Sequence, residues 1–241
     1  MGIGATISIG QTALSVSQRA LQVTGNNLAN AATPGYSRQS LALAPVRGSR
    51  SAGLEFGRGV SIVDVQRQVS NALLDRLRGS ISDQAVASER LNLFSQLEAT
   101  LNELSDNDLS SELNRFFNSW SEQANLTSGP ATVIQQGRQL AGFIQQIDAD
   151  LRSQQQQIDR EIFAVARAAN SLTADIAELN RQIVTAEVGS ASANALRDQR
   201  DINLEELAQY IDIATVEQPD GAMDVLVGST PIVLGGTSRG L

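Results

Sequence analysis

Apolar residues near the start of the chain recur at a seven-residue interval, at Ile7, Leu14, Leu21 and Leu28. That interval lines them up as one narrow seam on a helix, a seam that needs a partner helix to cover it. The helical pattern then stops abruptly. Pro34 drives Thr33 out of the helical region, and Pro34-Gly35 suits the central pair of a type II turn. Tyr36 stands just beyond the turn, placed to pack back. Residues 40–67 read as extended chain, because Leu41 and Leu43 alternate with Ser40 and Ala42, and Val60, Ile62 and Val65 follow a glycine-rich stretch from Gly48 to Gly59. A small β-ribbon is the expected result.

From Val69 to Leu104 the helical period returns, with Leu73, Leu77, Ile81, Ala87, Leu91, Phe94, Leu101 and Leu104. Asp106-Asn107-Asp108 breaks it and supplies a cap for a shorter helix, which carries Leu109, Leu113, Phe116, Phe117, Trp120 and Ala124 on one side and ends at Ser128-Gly129-Pro130. Its three aromatic residues are expected in the core of a bundle. The longest run follows, with Ile144, Leu151, Ile158, Val165, Leu172 and Leu179 on a seven-residue rhythm free of proline. Its companion stripe moves: Leu140 and Ile147 precede the main stripe, whereas Ile162, Ala169, Ile176 and Ile183 follow it. The packing face therefore rotates around residues 154–161, so two different partners are expected to cover the two halves of one helix.

A helix from Ala131 to Val188 would be ~85 Å long at ~1.5 Å per residue, which predicts a rod. The helices of residues 69–104 and 109–125, end to end, match that length and are expected to run back along it as an antiparallel bundle. A short helix with Leu196, Leu204 and Leu207 follows Gly189-Ser190, and turn-punctuated strands occupy residues 211–216, 223–227 and 232–234. The predicted fold class is mainly α: an elongated antiparallel helical bundle or coiled coil, a β-ribbon near residues 40–67, and the start of a β domain at the C-terminal end. In chain order this gives four segments, 1–36, 37–68, 69–210 and 211–241.

Composition narrows the chemistry. The 241 residues include no cysteine and no histidine, which removes thiol nucleophiles, imidazole bases and Cys/His metal sites. All 18 basic residues are arginine, and a net charge of -8 opposes general affinity for nucleic acid or anionic membranes. An aromatic content of 4% is poor for a thick globular core and suits long thin helices. Glu205 and Glu206 project about 100° apart on a helix and cannot flank one glycosidic bond. Gly57-Arg58-Gly59 lacks the later glycine and the helix of a phosphate loop. No residue acquires a catalytic, cofactor-binding or metal-binding assignment, and the expectation is a protein that is not an enzyme. No arginine precedes Arg19 and the opening residues are not a sustained apolar run, so a secretory signal is not expected; nor is a membrane span.

The segment Asn27, Ala29, Asn30, Thr33, Pro34, Gly35 and Tyr36 resembles the Asn-x-Ala-Asn-x-x-Thr-Pro-Gly-Tyr pattern shared by the axial proteins of the bacterial flagellum: rod, hook and hook-associated proteins. Tyr36-Ser37-Arg38-Gln39, Gly57-Arg58-Gly59-Val60 and Val65-Gln66-Arg67 are similar to stretches of the FlgK family of hook-filament junction proteins. So is Leu196-Arg197-Asp198-Gln199-Arg200-Asp201, where Arg197 departs from the family's usual leucine. Within that run a structural ion pair is expected between Arg200 and a neighbouring carboxylate, Asp198 or Asp201.

The resemblance implies a structural subunit at the hook-filament junction, exported to the flagellum without a cleaved signal peptide. Its implied partners are copies of itself in a ring, the hook protein and the second junction protein. An export chaperone would act through a C-terminal part outside this chain. It further implies a fragment or truncated product, since such proteins close with a C-terminal helix on the N-terminal one; the seam Ile7-Leu14-Leu21-Leu28 is then expected to be disordered or to self-associate. A rod or hook protein is the alternative within the flagellum, and a generic coiled-coil interaction module the alternative outside it.

Overall fold

Helix α1 (Ile3–Ala29) has two apolar faces, and the ribbon takes the one opposite the heptad seam. Ile9, Thr12, Val16, Val23 and Asn27 are half-buried. Ile9, Val16 and Val23 each lie two residues past a seam position, a rotation of about 200° at 3.6 residues per turn. The seam itself is open, with Ile7, Leu14, Leu21 and Leu28 exposed by 55%, 61%, 73% and 78%. The computed structural model that shows this describes residues 3–51, 54–101, 108–124, 130–188 and 192–241.

The ribbon pairs β1 (Gln39–Pro45) with β4 (Val60–Arg67) in antiparallel register. Between them lie the short paired strands β2 (Ser49–Ser51) and β3 (Leu54–Phe56). A bulge shifts the β1–β4 register between Ala42 and Leu43, so Val63 has no direct partner. Leu43 and Val63 both face solvent there, because one extra residue re-aims the side chains around it. Gly59, at φ 103°, lets the chain pass α1: a Cβ at that position would stand 2.2 Å from Thr12 Oγ1.

The remaining elements are α2 (Asn71–Leu101), α3 (Leu109–Gln123), α4 (Ala131–Ala186), α5 (Asn194–Ala208) and a four-stranded antiparallel sheet. The sheet runs in the order β5 (Ala214–Glu217), β6 (Met223–Val227), β7 (Thr230–Leu234), β8 (Thr237–Ser238). The chain divides into two compact units, one of Met1–Ser82 with Ala168–Leu241 and one of Asp83–Arg167.

The first unit holds the apolar core. Ala169, Leu172, Ile176 and Ala177 of α4 meet Leu204 and Leu207 of α5 and Met223, Val225, Ile232 and Val233 of the sheet. It is the companion stripe, Ala169, Ile176 and Ile183, that is fully buried, while Leu179 of the main stripe is only partly covered. The second unit contains α3, the end of α2 and the first part of α4. Gln154 of α4 donates to Gln96 O and Thr100 Oγ1 of α2, at 3.0 and 2.8 Å. Gly137, earlier in α4, lies against the ring of Phe116 in α3. Position rises along α4 as it falls along α2 and α3, which is antiparallel packing.

Asp108 caps α3 as expected, accepting a hydrogen bond from Ser111 N–H, which with the Ser111 side chain holds its carboxyl below the usual aspartate range. The rest of the break, at Asp106 and Asn107, lies outside the described residues, as do Leu104, Ser128-Gly129 and Gly189-Ser190. The aromatic cluster is not a core. Phe116 is half-buried and stacks edge-on against Phe117, but Phe117 and Trp120 are 60% and 62% exposed. A helix whose apolar side exceeds the width its neighbours cover leaves the outer aromatic rings in water.

Candidate assembly site

The turn after α1 is built by side chains that take over the backbone's hydrogen bonds where the helix gives out. Asn27 clamps the next strand with both ends of its amide: Gln39 N–H donates to Asn27 Oδ1 at 2.9 Å, and Asn27 Nδ2 donates to Gln39 O at 2.8 Å. The Tyr36 hydroxyl donates to the same Oδ1, also at 2.9 Å. Asn30 Nδ2 reaches back to Asn26, and Thr33 Oγ1 donates to Asn30 Oδ1 at 3.3 Å. Tyr36 N–H closes the reversal on Thr33 O at 3.2 Å, with Pro34 and Gly35 between them and Gly35 at φ 76°. These are the hydrogen bond and the positive φ of a type II turn. Ala29 is exposed and takes no part in the network.

Gly35 has a second reason to be glycine. A Cβ there would stand 2.4 Å from Ile202 Cδ1 on α5, so the turn lies directly on that helix. One residue past Tyr36, Ser37 N–H donates to Asp198 Oδ2 at 3.2 Å. Two stretches separated by about 160 residues of sequence thus form one site.

Asp198 and Asp201 lie three apart on α5 and share a face. They face arginines from the ribbon and from α2. Arg67 Nε lies 3.0 Å from Asp198 Oδ1, a charge contact without the linear geometry of a hydrogen bond, and Arg67 also bonds Asp201. Arg78 donates to the other oxygen of Asp201 at 2.9 Å and contacts Asp75 and Thr215 Oγ1, each at 3.2 Å. All four charged side chains of this Arg67–Asp198–Asp201–Arg78 chain are almost entirely buried.

The carboxylate expected for Arg200 is not what this residue meets. Arg200 points from another side of α5 toward α4 and the sheet, where it donates to Asn180 Oδ1 at 2.9 Å and Gly221 O at 2.7 Å. At 1% exposure in such neutral company, burial pulls its pKa down to about 10, against the opposing charge of Asp201. Asn180 is the hub beneath it, bonding Met223 N–H and O and Gly235 O as well. Sequence reasoning placed Arg67 only within a family-like stretch, without its ion pairs, and missed Arg78, Asn180 and Gly221. The available signal was the polar pair Thr173 and Asn180, seven apart and each three or four residues from the Ala169, Ile176 and Ile183 stripe, a spacing that puts both on the buried side of α4.

Arg197, where the family resemblance led to a leucine, ends in a fork. It contacts Glu187 twice, at 2.7 and 2.8 Å, and also bonds Glu217. The Arg197 bonds, joined by Ala193 N–H, hold the Glu187 carboxyl below its ordinary value, and both carboxylates push the Arg197 guanidinium upward. Gly221, at φ 87°, packs against this pair: a Cβ there would stand 2.7 Å from Glu187 Oε2.

Fold and site together define a mainly helical protein in which a pre-shaped turn and buried ion pairs adjoin a helix with an open apolar seam. A family profile described as "Flagellar hook-associated protein FlgK helical domain" matches residues 94–241, and one described as "Flagella basal body rod protein" matches residues 7–36. The chain belongs to the FlgK family of flagellar hook-associated proteins. It is 32% identical over 212 residues to flagellar hook-associated protein 1 of Bacillus subtilis, covering 83% of this chain and 42% of that protein. Against the protein of the same name from Salmonella typhimurium it is 29% identical over 241 residues, covering 98% of this chain and 43% of the relative. The chain therefore spans less than half the length of these curated relatives. Among solved structures, the flagellar hook junction protein FlgK from Burkholderia pseudomallei superposes with a TM-score of 0.54 over 68% of this chain and 29% of that one, at 24% identity, a likeness of fold. The helical-domain match covers the region that a rod or hook protein would not share, which disfavours that alternative.

Proposed function

We propose that this chain acts as a structural subunit of the bacterial flagellum, at the junction between hook and filament, and carries out no catalysis. The supporting observation is the open seam of α1: four large apolar side chains stay in water on the face opposite the ribbon, in a chain that belongs to the hook-associated family. Leaving each exposed forgoes about 1.5–3 kcal/mol, a cost removed when partner helices cover the seam in an assembly. Asn27, Asn30, Thr33, Pro34, Gly35 and Tyr36 set the direction change between the seam helix and the ribbon. Copies of the same subunit in a ring, the hook protein and the second junction protein are the proposed neighbours. An export chaperone is proposed to act through a segment beyond this chain. Export proceeds through the flagellum's own channel without a cleaved signal; no helix among the described residues is long and apolar enough to cross a membrane.

The rod-protein profile on residues 7–36, taken alone, fits a second reading, a place nearer the base of the flagellum, which the helical-domain match disfavours. Immunogold electron microscopy of intact flagella, with the gene product labelled in its native host, separates the readings. Gold in a narrow band between hook and filament is the expected result. Labelling along the hook or at the rod would move the assignment to the second reading, and flagella free of gold would leave a coiled-coil interaction module.

A further inference from the structure

Asp198 touches both pieces of chain that carry α1. Its Oδ2 accepts from Ser37 N–H, one residue past the turn, and its Oδ1 lies against Arg67, the last residue of the ribbon strand β4. Arg67 leans toward Ser37 Oγ at 3.4 Å, which draws the three residues into one cluster. On the neighbouring turn of α5, the Ile202 side chain fills the space that the missing Cβ of Gly35 leaves. Helix α1 is bound to the ribbon by the Asn27–Gln39 clamp and by the close pass of Gly59. Helix and ribbon therefore move as one piece, and the direction of that piece relative to α5 is set where turn and ribbon end meet α5.

We propose that Asp198 is a positioning residue for the seam of α1: by holding Ser37 N–H with one oxygen and Arg67 with the other, it fixes the direction in which α1 leaves α5. This rests on the assembly reading above, in which the seam is the surface that neighbours cover. The ribbon keeps other ties to α5 without Asp198, through Arg67 to Asp201 and through Asn194 Nδ2 to Val65 O at 2.6 Å. Loss of Asp198 is therefore expected to loosen the angle rather than unfold the unit.

The chain has no cysteine, so spin labels introduced at Gln18→Cys on α1 and Gln182→Cys on α4, both exposed, report that angle by pulsed electron spin resonance. In the labelled 241-residue chain, Asp198→Ala is expected to broaden the distance distribution at least about twofold, as a freed hinge would. Asp198→Asn keeps an acceptor for Ser37 N–H but turns an amide NH2 toward Arg67, and is expected to give a width between those of the wild type and Asp198→Ala. Thermal unfolding by circular dichroism accompanies each variant, and Asp198→Ser, whose side chain is too short to hold Ser37 N–H and Arg67 together, serves as the second probe if Asp198→Ala fails to fold. An unchanged width in Asp198→Ala, or in Asp198→Ser where that variant stands in, overturns the proposal. So does an Asn variant as broad as the Ala variant. A narrow wild-type distribution that broadens as expected, in a protein that carries no gold on flagella, would leave the positioning role intact and reject the assembly reading.

Discussion

A buried carboxylate can serve one cation or several, and the difference decides which substitution matters. Asp201 serves two, Arg67 and Arg78, so its loss would leave two desolvated guanidinium groups short of a partner. Breaking such a pair from one side costs about 3–5 kcal/mol, whereas replacing all partners with apolar groups is often neutral. Asp201→Ala is thus expected to lower the stability of the first unit by about that amount in chemical denaturation, and a change under about 1 kcal/mol would mean that Arg67 and Arg78 relax toward water instead. Glu187 yields a prediction in pH. Its pKa in the folded chain lies below the ordinary 4.5 because Arg197 and Ala193 N–H stabilise its charged form. The resulting stability is fully present above 4.5 and drains away as pH falls through the folded value. Denaturant midpoints of the wild type are expected to fall more steeply than those of Glu187→Gln below about pH 4.5; parallel profiles would show that the Arg197 fork contributes nothing to folding.

At the scale of elements, the turn that follows α1 was legible in the sequence because its cause is local. Pro34 constrains the residue before it, and Gly35 takes the positive φ that a type II turn requires, whatever the rest of the chain does. Changing both Pro34→Ala and Gly35→Ala is expected to let the helix run on, misplace the ribbon and reduce motility in a strain carrying the full-length gene; normal motility would contradict it. A local pattern could not tell which face of α1 is covered. The seven-residue seam marks a face that awaits a partner and stays open, and the ribbon occupies the side that Ile9, Val16 and Val23 present. The aromatic stripe of α3 shows the same limit, since Phe117 and Trp120 belong to an amphipathic pattern whose helix has fewer neighbours than its apolar side could use. The shift of companion stripe along α4 was the better signal. It marks a helix whose C-terminal part packs on α5 and the sheet and whose earlier part packs on α2 and α3.

In the molecule as a whole, residues 1–82 share a compact unit with residues 168–241, although 85 residues intervene. Every member of the main apolar cluster comes from the later stretch, while Arg67 and Arg78 come from the earlier one. A chain ended after Arg167 is therefore expected to lose hydrogen-exchange protection in the ribbon and the first turns of α2, because their buried arginines would have no carboxylates to meet. Retained protection there would show that the ribbon folds alone. What the sequence determined by itself were the features with local causes: helical and extended stretches from periodicity, the stop at Thr33-Pro34-Gly35, the cap at Asp108, and the exclusion of thiol and imidazole chemistry from composition. Tertiary structure decided which arginines meet Asp198 and Asp201, that Arg200 meets an amide and a carbonyl instead, and that Asn180 anchors the sheet. Those pairings join residues far apart in sequence, and their strength comes from shared burial, which no local pattern of residues can specify.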